Sequence, residues 1–274
     1  MEGRQDLSIA LIAGESILPI EIAKRLQATQ GATLILALRD DYEVLKPYAG
    51  KLIHMRTPNL GRGLRELKAW GADKLIMAGR IPKKVIYCLP LLFDSLTRSV
   101  LRKSLRDDHS LLGSVVKTFE AHNIQVIPYW QILPEFIASA GKLSDRAPTD
   151  KELQDVEYAV KILHVTLPCS FGQAICVADG AVVAVEAMEG TDNMIKRAAD
   201  FVKRGVIVKM MKKDQDMRYD LPTVGTRTLE NMHEAGLTCL AVEAGTTLIM
   251  EPEKFFTLAK KFNISVWGID NKHE

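Results

Sequence analysis

Ser8-Ile9-Ala10-Leu11-Ile12-Ala13-Gly14 is an almost unbroken apolar run closed by a glycine, and the segment after it opens at Pro19 with apolar residues at helical spacing. A strand that is apolar at every position has both faces buried, the condition of a parallel strand covered by helices. Proline suits the first turn of a helix, where its missing N–H is not needed. The pair reads as a buried strand entering a helix. Short apolar runs at 33–38, 51–55, 74–78 and 123–127 repeat the strand, and helical patterns at 60–70 and 111–122 repeat the helix.

Residues 1–132 are therefore expected to form a Rossmann-like α/β domain. Such sheets present ligands at the carboxyl ends of their strands, which puts Gly14, Glu15, Gly79 and Arg80 on a candidate cleft rim. The two glycines read equally well as plain turn residues. Between 133 and 155 the periodicity breaks around Pro134, Gly141 and Pro148, the composition of a linker. Residues 156–274 read as a second α/β domain with a mixed sheet. Its hairpin signal is Asp179-Gly180 between apolar runs at 173–178 and 181–187, because that turn requires positive φ. Helices are expected at 155–164, 193–203, 227–235 and 252–262, and strands at 205–209, 238–243 and 264–267.

A chain of 274 residues is long enough for two cores. Apolar residues make up 47% and charged residues 26%, with no run approaching the roughly 18 apolar residues of a membrane span. A net charge of +2 gives no reason to expect nucleic acid as a partner. The polar start, Met1-Glu2-Gly3-Arg4-Gln5-Asp6, is unlike a secretory signal, so a cytoplasmic address is expected. Cys88, Cys169, Cys176 and Cys239 are far apart and set among apolar neighbours, the pattern of reduced, buried packing residues.

Walker A, H-E-x-x-H and G-x-S-x-G patterns are absent, and Gly61-Arg62-Gly63-Leu64-Arg65-Glu66 lacks the third glycine of a dinucleotide loop. The histidines show no spacing suited to a metal. The informative residues lie in the carboxyl half, where polar groups gather at the ends of apolar runs. In Glu186-Ala187-Met188-Glu189-Gly190-Thr191-Asp192 a glycine leads into residues that open a helix, and a helix amino terminus binds anions. A plain N-cap explains the same residues. Lys209 ends a strand, and Asp214-Gln215-Asp216-Met217-Arg218-Tyr219-Asp220-Leu221-Pro222-Thr223-Val224-Gly225 follows without periodicity. Carboxylates that hold Mg²⁺ beside cations that neutralise phosphoryl oxygens suit a pyrophosphate. A charged surface loop is the alternative. Ala241-Val242-Glu243-Ala244-Gly245 sets a carboxylate at a strand end before a glycine, which serves either a ligand or the strand end itself.

These segments, with Gly172-Gln173-Ala174, Ala235-Gly236-Leu237, Leu133-Pro134-Glu135, Ile12-Ala13-Gly14 and Ala78-Gly79-Arg80, resemble the LpxI-type UDP-2,3-diacylglucosamine pyrophosphatases almost end to end. The resemblance implies a Mg²⁺-dependent hydrolase of two domains holding its lipid substrate between them. It implies water attack on one phosphorus of UDP-2,3-diacylglucosamine, giving UMP and 2,3-diacylglucosamine 1-phosphate. It puts the essential aspartate of the D-L-P segment at Asp220; our own expectation is that this residue activates water or binds metal, with Asp192 as a second catalytic carboxylate. Asp216, Asp220 and Glu243 are then the expected metal ligands. Gly14, Gly79, Arg80, Glu189, Gly190, Thr191, Lys209, Gln215, Arg218, Thr223, Gly225, Ala244 and Gly245 are the expected substrate contacts. The chain departs from the family pattern at Met210-Met211-Lys212-Lys213-Asp214, where relatives carry a proline.

A diacylated substrate also needs apolar surface. Cys88-Leu89-Pro90-Leu91-Leu92-Phe93, beside Arg98, Arg102, Lys103 and Arg106, is the candidate for peripheral contact with the cytoplasmic face of the inner membrane. An ordinary helix with a basic solvated face explains it as well. A homodimer is a further expectation, common among α/β enzymes. The rival classes are a non-catalytic sugar-nucleotide or lipid binding module and a nicotinamide oxidoreductase, and the latter lacks its glycine loop.

Overall fold

The strand expected at the start forms at Ile9–Ala13, and its helix follows at Leu18–Gln30. The computed structural model describes residues 8–81, 93–103, 108–213 and 215–270. The chain divides into two units, Met1–Leu133 and Pro134–Glu274.

In the first unit the elements are β1 (Ile9–Ala13), α1 (Leu18–Gln30), β2 (Leu34–Ala37), β3 (Lys51–His54), α2 (Leu60–Trp70), β4 (Lys74–Ala78), α3 (Ser95–Lys103), α4 (Asp108–Glu120) and β5 (Gln125–Val126). The strands run parallel in the order β3-β2-β1-β4-β5, so the order reverses beside β1, as in doubly wound sheets. Leu11, Leu34, Ile35, Leu36, Leu75 and Ile76 are wholly buried, as strands covered on both faces require.

Gly14 and Gly79 sit at that reversal for a steric reason. The Gly14 N–H donates to Ala78 O at 2.8 Å, and Glu15 and Arg80 exchange backbone hydrogen bonds at 2.8 Å. A Cβ on Gly14 would stand 2.7 Å from Arg80 O, and one on Gly79 2.8 Å from Glu15 O. Two loops cross backbone to backbone here, and only glycine leaves room. The amino end of α2 is likewise filled by the protein. Asp94 accepts from the N–H groups of Gly61 (2.9 Å) and Arg62 (3.3 Å), and Thr97 Oγ1 accepts from Leu60 N–H (2.8 Å). Burial would raise the Asp94 carboxyl, but these hydrogen bonds and those of Thr97 outweigh it and hold it below its usual value. The Gly61-Arg62-Gly63 turn therefore already has its anion.

The second unit comprises β6 (Gly141–Lys142), α5 (Asp150–Thr166), β7 (Ala174–Ala178), β8 (Ala181–Val185), α6 (Thr191–Ala198), β9 (Val206–Lys209), β10 (Thr223–Val224), α7 (Thr226–Ala235), β11 (Cys239–Glu243), β12 (Leu248–Ile249), α8 (Pro252–Lys261) and β13 (Ser265–Ile269). Its main sheet has the order β6-β13-β11-β9-β7-β8 and is mixed, with β9, β11 and β13 parallel and β6 and β7 antiparallel to them. The β7–β8 turn has Asp179 at φ 53° and Gly180 at φ 76°, the conformation inferred from that dipeptide. Ile207, Leu240 and Val242 pack against Met194, Leu229 and Phe255 of α6, α7 and α8. Val206, Val208 and Ala241 pack on the other face against Val156 and Leu163 of α5.

Two expectations need correction. The span 133–155 is not a free linker: β6 pairs with β13, and α5 starts at Asp150, where Thr149 and Glu152 form a reciprocal capping box. Cys176 and Cys239 are buried, with thiols pushed up to about 12 chiefly by burial, whereas Cys169 is exposed. Cys88, Leu89 to Leu92, Arg106 and Asp214 lie outside the described residues, and of the basic face Arg98 and Arg102 are exposed on α3.

Candidate active site at the carboxyl edge of the second sheet

Strands β8, β9 and β11 all end at the same edge of the second sheet, because β7 runs antiparallel to both β8 and β9. Lys209 closes β9 and is 7% exposed. Its Nζ donates to Thr191 Oγ1 at 3.2 Å and to Thr223 O at 3.0 Å. The Thr191 hydroxyl donates to Glu186 Oε1 at 2.8 Å, and Glu186 Oε2 accepts from Gln173 N–H at 3.1 Å. Burial pushes the Lys209 ammonium down from its ordinary value, while the charges of Glu186 and Asp192 oppose that.

Two helices open beside this ammonium. Gly190 precedes α6 with φ 80° and Gly225 precedes α7, and neither helix has a side-chain cap. A glycine at N-cap has no side chain to reach the first-turn N–H groups. At α7 the Thr228 N–H is taken by Gly225 O at 2.9 Å, and the earlier N–H groups of each helix are the donors left for an incoming anion. Arg227 Nε pairs with Asp192 Oδ2 at 3.0 Å, joining the two first turns. Thr223 belongs to β10, which pairs with β12, and Leu248 N–H donates to Pro222 O at 2.9 Å. The Asp220-Leu221-Pro222 segment thus leads directly into the carbonyl that holds Lys209.

Other expected residues are placed differently. Asp216 receives Arg218 Nη2 at 2.7 Å and Nε at 3.0 Å. Those hydrogen bonds keep its carboxyl below the usual range, and burial with the Asp216 charge pushes the Tyr219 phenol up to about 12. Gln215 Oε1 accepts from Lys212 N–H at 2.8 Å, so that side chain braces its own loop. Glu189 pairs with Arg197 on the surface of α6. The N–H groups of Ala244 and Gly245 donate to Ile269 O and Ala138 O, both at 2.9 Å, and serve the scaffold.

Glu243 is separated from Lys209 by strand alternation. Val242 is the register partner of Lys209 and packs with the α6 and α7 side chains. The next residue faces the α5 side, where Glu243 Oε2 accepts from Met211 N–H at 2.8 Å and Thr246 Oγ1 at 3.0 Å. Among the described residues no three His, Cys, Asp or Glu side chains stand together as a metal group. The expected trio of Asp216, Asp220 and Glu243 is therefore not assembled: Arg218 occupies the first, and backbone and hydroxyl donors occupy the last.

Two residues to which the sequence assigns no role in the site do converge here: Glu186, the first residue of the Glu186–Asp192 cluster, and Arg227. Glu186 carried a usable signal, a carboxylate directly after an apolar strand, the same signal that singled out Glu243. Arg227 carried none, since only the packing of α6 on α7 brings it to Asp192. A cavity of about 270 Å³ lies at the opposite edge, before β9, β11 and β13, lined by Arg146, Lys151, Glu152, Asp155, Asp179 and Arg204. Its cations are all matched: Arg146 by Glu152, and Lys151 and Arg204 by Asp179. It reads as a structural network.

Residues 8–136 match the model of the LpxI N-terminal domain, and residues 139–267 that of the LpxI C-terminal domain. The chain is 29% identical over 276 residues to UDP-2,3-diacylglucosamine pyrophosphatase LpxI of Caulobacter vibrioides, across 96% of this chain and 97% of that protein. Among solved structures, the biotin carboxylase domain of the Hydrogenobacter thermophilus 2-oxoglutarate carboxylase aligns with a TM-score of 0.27 and 11% identity, over 71% of this chain and 42% of that one. That likeness is too slight to bear on fold or function. Both domain models are matched in order, and a relative is matched from end to end: the chain belongs to the LpxI family.

Proposed function

We propose that this chain hydrolyses the pyrophosphate bond of UDP-2,3-diacylglucosamine, releasing UMP and 2,3-diacylglucosamine 1-phosphate. The observation that carries the reading is Lys209, a buried ammonium beside two helix amino termini without side-chain caps. Such a corner concentrates positive potential where a diphosphate needs it. In this reading Lys209 and the N–H groups after Gly190 and Gly225 hold phosphoryl oxygens. A water oxygen bonds to one phosphorus as the bridging P–O bond breaks. Asp220 accepts the proton of that water, and Asp192, tied to Arg227, stands as the second carboxylate.

Mg²⁺ belongs to the proposal in the form this donor set allows. Magnesium commonly binds through one or two carboxylates together with substrate phosphates and waters. An ion carried by the diphosphate and met by Asp220 fits that pattern, and it would supply Lewis-acid neutralisation of the phosphoryl charge. The same proposal includes peripheral contact with an anionic membrane through the exposed Arg98 and Arg102. Charge reversal at both should release the protein from anionic liposomes in sedimentation, and unchanged binding would sink that part.

The test is to incubate purified protein with UDP-2,3-diacylglucosamine, with and without Mg²⁺, and to follow UMP release beside Asp220→Ala. Metal-dependent UMP that disappears in the folded variant is the expected result. No UMP from well-folded protein would overturn the hydrolase reading.

A further inference from the structure

We infer that Glu186 is a positioning residue of this site: through the Thr191 hydroxyl it holds the Lys209 ammonium in the place where a diphosphate is bound. The inference rests on the diphosphate reading of the corner and deepens it.

The hydrogen-bond directions are forced. Lys209 Nζ can only donate, so Thr191 Oγ1 accepts from it at 3.2 Å, and the single Thr191 hydroxyl proton is left for Glu186 Oε1 at 2.8 Å. The second Glu186 oxygen is fixed by the Gln173 N–H at 3.1 Å. Its backbone is fixed as well: Glu186 N–H donates to Ala174 O at 2.9 Å, and a Cβ on Gly172 would stand 2.0 Å from Glu186 O. The carboxylate is therefore a rigid anchor, and the relay from it ends on a cation that is 7% exposed. A buried ammonium needs compensating charge and a fixed set of acceptors. The charged groups around it are Glu186 after β8, Asp192 on α6, and Arg227 on α7, the last paired with Asp192. Glu186 is the carboxylate of this set that reaches Lys209 through a direct relay.

The consequence is specific. Removing the Glu186 charge while keeping its shape should let Lys209 give up its proton at lower pH, because burial then acts on it with less opposition. Activity and diphosphate affinity should fall together on the alkaline side.

The experiment compares wild type, Glu186→Gln, Thr191→Val, Thr191→Ser and the double variant Glu186→Gln/Thr191→Val, by UMP release and by calorimetric titration with UDP across pH 6.5–9.5. Glu186→Gln and Thr191→Val should each weaken UDP binding roughly tenfold or more, about the loss of one charge-assisted hydrogen bond. Thr191→Ser should restore it, and the double variant should be no worse than the worse single one, as for residues acting through one relay. The alkaline limb of Glu186→Gln should lie at lower pH than that of wild type. UDP binding that ignores Glu186, additive losses, an unmoved alkaline limb, or wild type that does not bind UDP would each overturn the inference. Wild type that binds UDP in a Glu186-dependent way yet releases no UMP would instead overturn the hydrolase reading and leave this inference standing.

Discussion

Arg227 Nε stands 3.0 Å from Asp192 Oδ2, which ties the first turn of α7 to the first turn of α6. An aspartate suits the positive end of a helix, whereas an arginine is set against the helix dipole there. Arg227 is therefore poorly explained by helix stability and well explained by an anion at this corner. Arg227→Ala should lower kcat/KM about tenfold or more, the scale of a charge-assisted hydrogen bond to phosphate. Its melting temperature should stay within about 2–4 °C of wild type, since an exposed pair contributes about 0–1 kcal/mol. Steady-state kinetics beside thermal melting checks both, and a large loss of stability with unchanged kinetics would refute the assignment.

Lys209→Met should reduce kcat by about 100-fold or more, the loss expected when a buried, preorganised cation is removed from a phosphoryl site. Its pH signature has a definite sign. Burial depresses the Lys209 pKa in the folded chain, so in the window between that value and the ordinary lysine value near 10.4 the unfolded chain binds the proton and the folded chain does not. Stability relative to Lys209→Met should rise with pH through that window while activity falls. Urea unfolding of both proteins between pH 7 and 10 measures the first trend and UMP release the second. Parallel trends would be inconsistent with a buried ammonium that has to be charged to work.

What could be read in advance depended on whether the cause was local. Ile9–Ala13 was legible because every position is apolar, and the turn at Asp179-Gly180 because positive φ selects those residues. The pairing of Gly141–Lys142 with Trp267 and Gly268 has no local signature, so a sheet strand read as linker. The start of α5 does carry a local signal, the Thr149-x-x-Glu152 capping box, but standing directly after Pro148 it reads as part of the linker. Within the site, Lys209, Thr191, Thr223, Gly190 and Gly225 came together because strand ends and glycine caps mark their positions. Glu243 reads as a metal ligand beside Asp216 and Asp220 from its place at a strand end, yet the Val242–Lys209 register turns it to the face away from Lys209. In the sequence Asp216 reads as a metal ligand and Arg218 as a phosphate contact, but at two residues apart they satisfy each other.

Gly172→Ala should be far more damaging than an average glycine substitution. The added methyl would stand 2.0 Å from Glu186 O, a backbone atom that cannot swing away. Relief requires shifting the start of β7 or the end of β8, with an expected cost above about 2 kcal/mol. The same shift moves Glu186, so activity should fall further than the lost stability explains at a temperature where the variant is folded. Gly180→Ala is the control. Its Cβ meets open space at φ 76°, so it should cost about 1–2 kcal/mol for the left-handed backbone and leave kcat/KM unchanged. Equal kinetic damage from both variants would remove Glu186 from the explanation.

Glu152 governs stability from the opposite edge of the sheet. Arg146 reaches its two oxygens at 2.7 and 3.0 Å, Thr238 Oγ1 donates at 2.6 Å and Thr149 N–H at 2.8 Å. The guanidinium continues to Asn263 O at 2.9 Å and Ser265 Oγ at 3.1 Å, joining the start of α5 to the loops before β11 and β13. Burial would raise the Glu152 carboxyl, but these hydrogen bonds exceed it and hold the pKa below the ordinary value. A depressed carboxylate stabilises the fold above the unfolded pKa, near 4.3, and that contribution is lost as pH falls through the folded value. Glu152→Gln leaves Arg146 short of a charge and should cost about 2–4 kcal/mol at pH 7. The gap between wild type and variant should narrow below about pH 4, where wild type also protonates. Urea titrations at pH 7, 5 and 3.5 measure it, and a gap independent of pH would mean that packing, not charge, holds this edge. UMP release by the folded variant should match wild type, because nothing in this network touches Lys209.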